Sequence, residues 1–463
     1  MKNAAPADAD LIRYQQNRSL GDVPAYGVGL QMRLSQGQRV YVAVSSTELA
    51  LYFSRESGQE NAELAAHYDL EGRLVRLAEP NRHRRHSLSH RVLETRKRTG
   101  AEGGGVVRTL QRPEEADAVV TQAHRLASAV WEQVQSRPDT IGFGKPSLME
   151  AVPVIYPLLE RAARMDAEAA RADAARFQAI YGRVAVLPPD QYNALVLQVT
   201  EGCAYSGCAF CELYRGVTFR VKSQQDFRRH VEEALAYHGQ GLRSRRSIFL
   251  GEANALTLPQ LALAERLGVV REHCEFPSPD EKHTPASWWM GNPSRFDGIH
   301  SFLDAFTGPA RDASDYAELR SLGLRRVYIG LETGDDTLLK WLLKPSSAEG
   351  VLRSVRNIKE AGLSVGVIVL LGAGGRQYYK AHVQETARLL NELHLGEGDY
   401  LYFSPLVEGE GGAYARLASD MEIETLTPDQ IDHQEQAIRA ALAAPGDAGH
   451  PYIARYELQT FVY

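Results

Sequence analysis

Three of the four cysteines in this 463-residue chain lie within nine residues of one another, in the segment TEGCAYSGCAFCELYRG (200–216). Cys203, Cys208 and Cys211 have the spacing C-x4-C-x2-C, and thiols clustered in this way indicate a metal centre. A tetrahedral zinc site needs a fourth cysteine or histidine close by, but the nearest histidine is His230. A cubane iron–sulfur cluster can be held by three thiolates that leave one iron open. We therefore favour a cluster over zinc or three metal-free cysteines.

Apolar segments alternate with amphipathic ones from about residue 187 onward. The most apolar segments are predicted strands, at 194–199, 247–250, 299–306, 325–331, 365–371 and 399–406. Nearly continuous apolar strands separated by helices predict a parallel sheet covered by helices, either open or curled into a barrel. The cysteines directly follow the first strand, and ligands of such sheets bind at the carboxyl ends of the strands. We therefore expect the cysteine segment at the ligand-binding edge.

The rest of the chain shows different patterns. Before about residue 110, apolar and polar residues alternate between turn signals, which predicts antiparallel strands. The Ala-rich stretch Leu158–Gly182 predicts a long helix that ends at its glycine. The predicted parts are a β-rich N-terminal domain (1–110), a helical connector (111–186), the α/β core (187–410) and a C-terminal extension that packs on the core (411–463).

The segment Glu79–Arg98 is strongly basic, and it includes His83, His86 and His90. No aromatic residue interleaves the basic ones, and no known RNA-binding module surrounds them, so we favour a surface hairpin with solvated charges. A patch for RNA phosphates is the alternative. A metal site on the three histidines is a further alternative.

Composition excludes several classes of protein. A net charge of −6 and a pI near 6.2 give no general footprint for nucleic acid. The longest strongly apolar run, Val365–Leu371, is about a third of a membrane-spanning helix of ~20 residues. The first residues lack the pattern of a secretory signal, and the unevenly placed cysteines argue against a disulfide framework. We expect a cytoplasmic protein that does not bind a membrane.

The cysteine loop, the aromatic Phe210 just before Cys211, and the repeated strand–helix order together make residues 194–407 resemble the radical S-adenosylmethionine (SAM) superfamily. The most similar branch holds the elongator-type, methylthiotransferase, nitrogenase-cofactor and oxygen-independent coproporphyrinogen oxidase-like enzymes. The superfamily's commonest loop has three residues between the first two cysteines, whereas this chain has four. The resemblance implies an α/β fold, with a partial (β/α)6 TIM-like barrel joined to the β-rich N-terminal domain and the helical connector.

The same resemblance implies a 4Fe–4S cluster on the three cysteines, with SAM on the open iron. One-electron cleavage of SAM would give a 5′-deoxyadenosyl radical that abstracts hydrogen from an unidentified substrate, chemistry that belongs to the cofactor. A one-electron reductant such as flavodoxin or ferredoxin is the expected partner. The sequence has no cobalamin-binding signature and no second cysteine cluster, so we expect reactions that use only the radical. The alternatives are an iron–sulfur electron-transfer or redox-sensing protein without SAM turnover, and an RNA-modifying radical enzyme that uses the basic run.

Candidate cofactor-binding residues follow from matching the superfamily's pattern to later strand ends. Gly251 and Glu252 match the turn that receives the methionine amino group, since glycine permits close approach and a carboxylate suits an ammonium. Glu332 resembles the acid that contacts the ribose or the amino-acid part, with helix capping as its alternative. Ile368 and Gly372 match the adenine-binding segment, although a buried strand and its turn would have the same sequence. Phe210 is expected on the adenine side.

Three further residues are candidates on chemical grounds. Asp304 is an acid in an apolar strand, where burial requires a partner, so it is either a cofactor residue or half of a salt bridge. Arg220 is predicted to meet a carboxylate of the cofactor or the substrate, or else to be a solvated charge. Cys274 is either a hydrogen-atom donor or covalent partner, or a small buried apolar residue. Trp288 and Trp289 are expected to line a cavity or to fill the core.

Overall fold

The computed structural model describes residues 28–34, 37–54, 63–98, 105–138, 141–143, 152–278, 292–407, 409, 411–444 and 449–463. Within these ranges, helices that are both long enough and apolar enough to cross a membrane are absent. Trp288 and Trp289 lie outside the described residues.

A nine-stranded antiparallel sheet forms the N-terminal part. Its strands are β1 (Val28–Arg33), β2 (Arg39–Val44), β3 (Leu49–Ser54), β4 (Leu64–Tyr68), β5 (Leu74–Glu79), β6 (Arg82–His86), β7 (Val92–Arg98), β8 (Gly105–Leu110) and β9 (Gly142–Phe143). The order across the sheet is β8-β7-β6-β5-β4-β3-β2-β1-β9, so the first eight strands form a meander in which each pairs with the next. This matches the β-rich domain predicted from the alternating pattern.

Three helices follow the meander: α1 (Pro113–Ser136), α2 (Val152–Arg164) and α3 (Ala167–Tyr181). The alternating Val40, Val42 and Val44 of β2 are buried in one core with apolar residues of α1 and α2. Burial of every second strand residue is the reason that the sequence reads as alternating. At the start of α3, the Asp166 carboxylate caps the helix by accepting from the backbone N–H of Ala169 at 2.8 Å.

A seven-stranded parallel sheet forms the core of the second part. Its strands are β10 (Leu195–Gln198), β13 (Ile248–Gly251), β14 (Ile299–Leu303), β15 (Leu324–Glu332), β16 (Ser364–Leu371), β17 (Tyr400–Pro405) and β18 (Tyr452–Arg455), in that order; β11 (Thr200–Glu201) and β12 (Arg220–Val221) form a separate two-stranded ladder. The helices of this part are α4 (Gln224–His238), α5 (Gln260–His273), α6 (Ala313–Ser321), α7 (Asp336–Trp341), α8 (Ala348–Glu360), α9 (Gly375–Glu392), α10 (Ala413–Asp420) and α11 (Pro428–Ala440).

The predicted fold class is confirmed: a mixed α/β structure with a parallel sheet of strands linked by helices, preceded by a β-rich sheet. All six predicted strands are present, and β18 of the C-terminal extension adds a seventh parallel strand beside β17. The third predicted strand ends at Leu303 rather than Phe306. It ends there because Asp304 accepts from the backbone N–H groups of Phe306 (3.1 Å) and Thr307 (2.9 Å), which turns the chain.

The basic run forms the β6–β7 hairpin, as expected, but only part of its charge is solvated: Arg91 and Lys97 are exposed, whereas other charges of the run are buried or paired. Arg84 is buried and pairs with Glu79 at 3.2 Å, while Arg82 pairs with Glu94 at 2.6 Å. Arg96 also pairs with Glu94. These acids stand on neighbouring strands, a spacing that the linear sequence does not reveal. Because each of these three arginines already has a carboxylate partner, the run offers RNA phosphates less free charge than its composition suggested.

A buried ion cluster joins the N-terminal sheet to the second part. Arg73, at the turn before β5, donates to Asp173 of α3 at 2.7 Å and to the carbonyl oxygen of Tyr237 of α4 at 2.8 Å. Asp69 lies 3.3 Å from the same guanidinium, and the Tyr237 hydroxyl donates to Asp173 at 2.7 Å. Removing one member of a buried, hydrogen-bonded ion group leaves the others buried and unpaired. Arg73 is therefore central to holding the two parts together.

We expect Arg73→Met to lower the free energy of unfolding by about 3–5 kcal/mol, the usual cost of breaking a buried ion pair. The matched control is Arg176→Met, because Arg176 pairs with the same Asp173 at 3.7 Å but is largely exposed, and we expect that change to cost less than about 1 kcal/mol. Chemical denaturation of both variants measures the difference. Equal losses in the two variants would contradict this account of the junction.

Candidate functional site

The cysteine segment forms a closed loop at the carboxyl end of β10. The β11–β12 ladder pairs Thr200 with Val221 and Glu201 with Arg220, so residues 202–219 are a loop with its two ends joined. Gly202 at the base has φ +73°, and a Cβ there would lie 3.1 Å from the carbonyl oxygen of Thr218. Glycine is required at this position because the backbone is left-handed and closely packed.

All three cysteines of the loop are free thiols, and Cys208 is buried while Cys203 and Cys211 are partly buried. Burial raises the pKa of each thiol, for Cys208 to about 12, and the positive charge of Lys344 acts in the opposite direction on all three. A cysteine that binds a metal must be a thiolate. The charge of Lys344 alone does not overcome burial here, and a metal centre would supply further positive charge, so three such thiols fit a cluster better than they fit a metal-free interior.

No group of three cysteine, histidine or acidic side chains in the described part of the chain converges closely enough to hold one metal ion. The histidine alternative therefore has no such group among those residues: His86 and His90 instead hydrogen-bond each other at 3.0 Å, and His90 contacts Asp117 at 2.8 Å. In an iron–sulfur cluster each thiolate binds a different iron, so its ligands need not meet at one point.

Glu252, at the end of β13, reaches the base of the cysteine loop. Its carboxylate accepts from Gln198 Nε2 at 2.8 Å and from the backbone N–H of Gly202 at 3.3 Å. Burial raises the pKa of this carboxyl to about 7, against the opposing effect of those two donors. The charge of Arg183 also lowers this pKa, but burial outweighs it, which is the state expected of a carboxyl group that binds a cationic ligand.

Two buried acceptors near Glu252 have no hydrogen-bond partner within the described ranges: Gln198 Oε1 and Asn254 Oδ1. The amide nitrogen of Gln198 is already used, because it donates to Glu252 and to the carbonyl oxygen of Arg183 at 2.8 Å. Unsatisfied buried acceptors require an explanation, and a ligand with N–H or O–H donors supplies one. The amino group and ribose hydroxyls of SAM are donors of this kind. Sequence reasoning missed both amides because neither belongs to the recognised pattern.

Glu332, at the end of β15, is paired with a lysine that sequence reasoning also missed. Lys344 donates to Glu332 Oε1 at 2.7 Å and to the carbonyl oxygen of Gly330 at 2.5 Å, and both side chains are buried. The charges of this pair reach Cys208 and Cys211. The signal that could have indicated Lys344 is a lone charge directly after the apolar residues that follow α7.

The residues expected on the adenine side lie around the end of β16. Ile368 is buried in that strand, in register with Tyr402 of β17. Gly372 follows at φ +83°, where its N–H donates to Gln434 of α11 at 2.8 Å. Phe210 packs against an apolar cluster that includes Trp341. The C-terminal extension therefore contacts the same turn that the sequence pattern predicts for adenine.

The other three candidates have different surroundings. The Asp304 carboxylate accepts from Thr307 Oγ1 at 2.5 Å in addition to the two backbone N–H groups, and its charge reaches Cys203. Arg220 is exposed and meets a carboxylate of the chain itself, Glu201 at 2.8 Å. Cys274 is buried in the main core, which raises the pKa of its thiol to about 12. These features favour turn formation as the role of Asp304, closure of the cysteine loop as the role of Arg220, and core packing as the role of Cys274.

The structure thus brings the cysteine loop, Glu252, Asp304, Glu332 and Lys344 to one end of the sheet, and leaves Cys274 elsewhere. Acids at the ends of β13, β14 and β15 and the Lys344 ammonium, which follows α7, therefore lie around the three thiols, a charge pattern that could hold a cofactor with groups of both signs.

Comparison with known proteins agrees with this geometry. Residues 197–390 match the model of the radical SAM superfamily. No curated protein sequence is similar enough to this chain to count as a match. Among solved structures, HemN, the coproporphyrinogen III oxidase of Escherichia coli, is 15% identical with a TM-score of 0.37, and the match covers 53% of this chain and 51% of HemN.

Two more solved structures are similar at the same level. The radical SAM methyltransferase TsrM from Kitasatospora setae, solved with cobalamin and a 4Fe–4S cluster, is 17% identical with a TM-score of 0.35, and the match covers 49% of this chain and 37% of TsrM. HydG, a maturase of the [FeFe]-hydrogenase, is 15% identical with a TM-score of 0.35, covering 71% of this chain and 65% of HydG. This chain thus spans less than two thirds of each solved chain, and these likenesses carry no argument about its activity.

The family match covers the cysteine loop, the ends of β13, β14, β15 and β16, and most of α9. It therefore includes every residue that the geometry assembles around the three thiols. The likeness to the radical SAM superfamily therefore lies in the part of the chain that holds the candidate site, residues 197–390.

Proposed function

We propose that this chain is a radical SAM enzyme that binds a 4Fe–4S cluster through Cys203, Cys208 and Cys211. When bound, the cluster would supply one electron to SAM, so that its S–C5′ bond breaks to methionine and a 5′-deoxyadenosyl radical, which would abstract hydrogen from a substrate yet to be identified. The observation that carries this proposal is the meeting of three free thiols, two strand-end carboxylates and one buried ammonium at one end of a parallel sheet. An electron-transfer or sensing protein has no use for acids at successive strand ends around its thiols.

The charged residues of the site suit the two charged groups of the methionine part of SAM, its amino group and its carboxylate. The Glu252 carboxylate suits the amino group of the methionine part, and its donors Gln198 and Gly202 hold it in place. The Lys344 ammonium suits the carboxylate of the same part, while Glu332 keeps that ammonium compensated when the carboxylate is absent. Gln198 Oε1 and Asn254 Oδ1 remain as acceptors for ribose hydroxyls or the amino group.

The apolar side of the site has a separate task. Phe210, Leu370 and Trp341 pack in one cluster beside the cysteine loop. An apolar wall suits a planar base and excludes water, which protects a reactive radical from side reactions.

We also propose a docking surface for the one-electron reductant on Arg215–Val221, the segment that ends the cysteine loop and that we call its outer limb. Arg215–Val221 is almost entirely exposed and begins four residues after Cys211. The limb and its neighbours carry four cationic and two anionic side chains, for a local net charge of +2 in a chain of net charge −6: Arg183, Arg215, Arg220, Lys222, Glu201 and Glu212. Exposed Val217 and Val221 add apolar contact area. An acidic carrier such as a flavodoxin or ferredoxin complements this surface.

The function is tested by Cys208→Ala. The purified protein is reconstituted with iron and sulfide without oxygen, reduced with dithionite and given SAM. Wild type should show a 4Fe–4S electron paramagnetic resonance signal that shifts with SAM, and should release 5′-deoxyadenosine. Cys208→Ala should lose both, because the cluster loses a ligand. The matched control is the fourth cysteine: Cys274→Ala should keep the signal and the product and lose only about 1 kcal/mol of stability. A wild-type cluster that does not respond to SAM would make the chain an electron-transfer or sensing protein.

The role of Glu252 gives a pH-dependent prediction. Its folded-state pKa of about 7 lies above the usual value of 4.5, so between these two pH values the folded protein binds the Glu252 proton more tightly than the unfolded protein does. The free energy of unfolding therefore falls as the pH rises from about 4.5 to 7. Glu252→Gln removes this loss, and the cofactor-free variant should be more stable than wild type at pH 8 but not at pH 5. The same variant should bind SAM more weakly. Unfolding curves at both pH values measure the first effect; a stability difference that is the same at pH 5 and pH 8 would contradict it.

The docking surface is tested with Arg215→Glu. Release of 5′-deoxyadenosine supported by a reduced acidic flavodoxin should fall about tenfold at low salt, an effect of the size that rim charges have on association rates. Release supported by dithionite should not change, because dithionite is a small molecule and needs no protein interface. Arg164→Glu is the control, since Arg164 is an exposed, ion-paired arginine on α2. A loss in both assays, or the same loss in both variants, would refute this surface.

A further inference from the structure

Glu332 adopts a backbone conformation that its own sequence does not favour. Its φ is +62°, in the left-handed region, where a residue with a side chain is strained. The strand register also shifts between Gly330 and Glu332. A conformation of this kind persists only where surrounding contacts hold it. Lys344 holds the Glu332 side chain, and contacts of the residues directly after Glu332 hold the backbone.

The turn after Glu332 is held by helix α9. The N–H of Gly334 donates to Thr386 Oγ1 at 2.9 Å. A Cβ at Gly334 would lie 2.3 Å from the carbonyl oxygen of Glu385, so the helix backbone packs directly on the turn. Thr333 is completely buried, and its hydroxyl oxygen accepts from the N–H of Asp335 at 3.1 Å.

His382, one helical turn before Thr386, completes this arrangement. The ring is completely buried, and its Nδ1 lies 2.7 Å from Thr333 Oγ1 and 3.3 Å from Thr386 Oγ1. Its Nε2 is buried and has no hydrogen-bond partner in the part of the chain that the structure describes. Burial lowers the pKa of the ring to about 4, so it is neutral at physiological pH. A buried nitrogen without a hydrogen-bond partner costs stability, so the hydrogen bond at Nδ1 must offset part of that cost.

We propose that His382 is a positioning residue for the cofactor site: through Thr333 it holds the turn that directs Glu332 onto Lys344. This inference rests on the proposed function, because it assigns the Glu332–Lys344 pair to SAM binding. The geometry supports it in two ways. Thr333 immediately follows Glu332 in the chain, and its hydroxyl is fixed on one side by Asp335 and on the other by His382. Without the imidazole, the Thr333 hydroxyl loses its shortest contact and keeps only the N–H of Asp335 at 3.1 Å and Thr386 Oγ1 at 3.5 Å, so the strained backbone at Glu332 is held less firmly.

The experiment compares His382→Leu with His382→Asn. Leucine fills the space without a polar atom, whereas the asparagine side chain places a polar atom near the position of Nδ1. The SAM concentration that half-saturates the shift of the cluster's electron paramagnetic resonance signal should rise about tenfold in His382→Leu, which corresponds to ~1.4 kcal/mol, the size of one hydrogen bond. His382→Asn should restore most of the affinity. Turnover at saturating SAM should be within about twofold of wild type in both, because the reacting groups are unchanged.

A purely structural role is excluded with His238→Leu. His238 is also a buried histidine, on α4, where its ring contacts the Tyr181 hydroxyl at 3.3 Å. That variant should lose stability without a change in SAM affinity. If His382→Leu likewise loses stability but keeps its SAM affinity, the positioning role is overturned.

A second measurement needs no cofactor. Lys344 is buried against Glu332, so a small amine-modifying reagent should label it slowly in the cofactor-free wild-type protein. Labelling followed by peptide mass spectrometry should be several-fold faster in His382→Leu and unchanged in His238→Leu. Unchanged labelling in His382→Leu would overturn the inference. If the wild-type cluster shows no response to SAM, the proposed function fails, and the labelling still decides whether His382 positions the pair.

Discussion

The buried ammonium of Lys344 is the constraint on which the site depends. An uncompensated charge in a protein interior costs several kcal/mol, so this lysine needs a close carboxylate and finds it in Glu332 at 2.7 Å. Glu332 reaches it from a left-handed backbone, next to a turn that packs on α9. The same ammonium favours thiolates in a loop where burial favours thiols. One ion pair thus links the fold of a turn to the chemistry of the cysteines.

The two ends of the parallel sheet have different tasks. At the amino end, Asp190 accepts from Arg326 at 2.8 Å, Tyr328 at 2.5 Å and Tyr402 at 2.7 Å, so its carboxylate is satisfied by residues of β15 and β17. The N-terminal sheet also attaches on this side, since Arg85 and the Arg73 cluster contact residues that precede β10 and β13. The loops at the carboxyl end are therefore left for the cofactor site, as expected for parallel sheets.

Much of this arrangement could be predicted from the sequence. Continuous apolar strands between amphipathic helices indicated the parallel sheet, and alternation indicated the antiparallel one, because side-chain burial has these periods. Where the prediction was wrong, long-range pairing was the cause. Arg82 and Arg84 read as solvated charges, but Glu94 and Glu79 face them from neighbouring strands. Lys344 gave only a weak signal, a lysine after apolar residues between α7 and α8, and His382 gave none, because a single titratable residue is common on helices.

The sequence by itself determined the cysteine spacing, the order of the strands and the acids that follow them, since all three depend on neighbouring residues in the chain. Only the tertiary structure decided which of these groups meet. Glu252 reaches Gly202 across 50 residues, and Thr333 meets His382 across 49 residues. Such contacts depend on how the sheet and its helices pack, and packing is a property of the whole chain that no local pattern encodes. Packing also places Cys274 in the core, apart from the three cysteines of the loop.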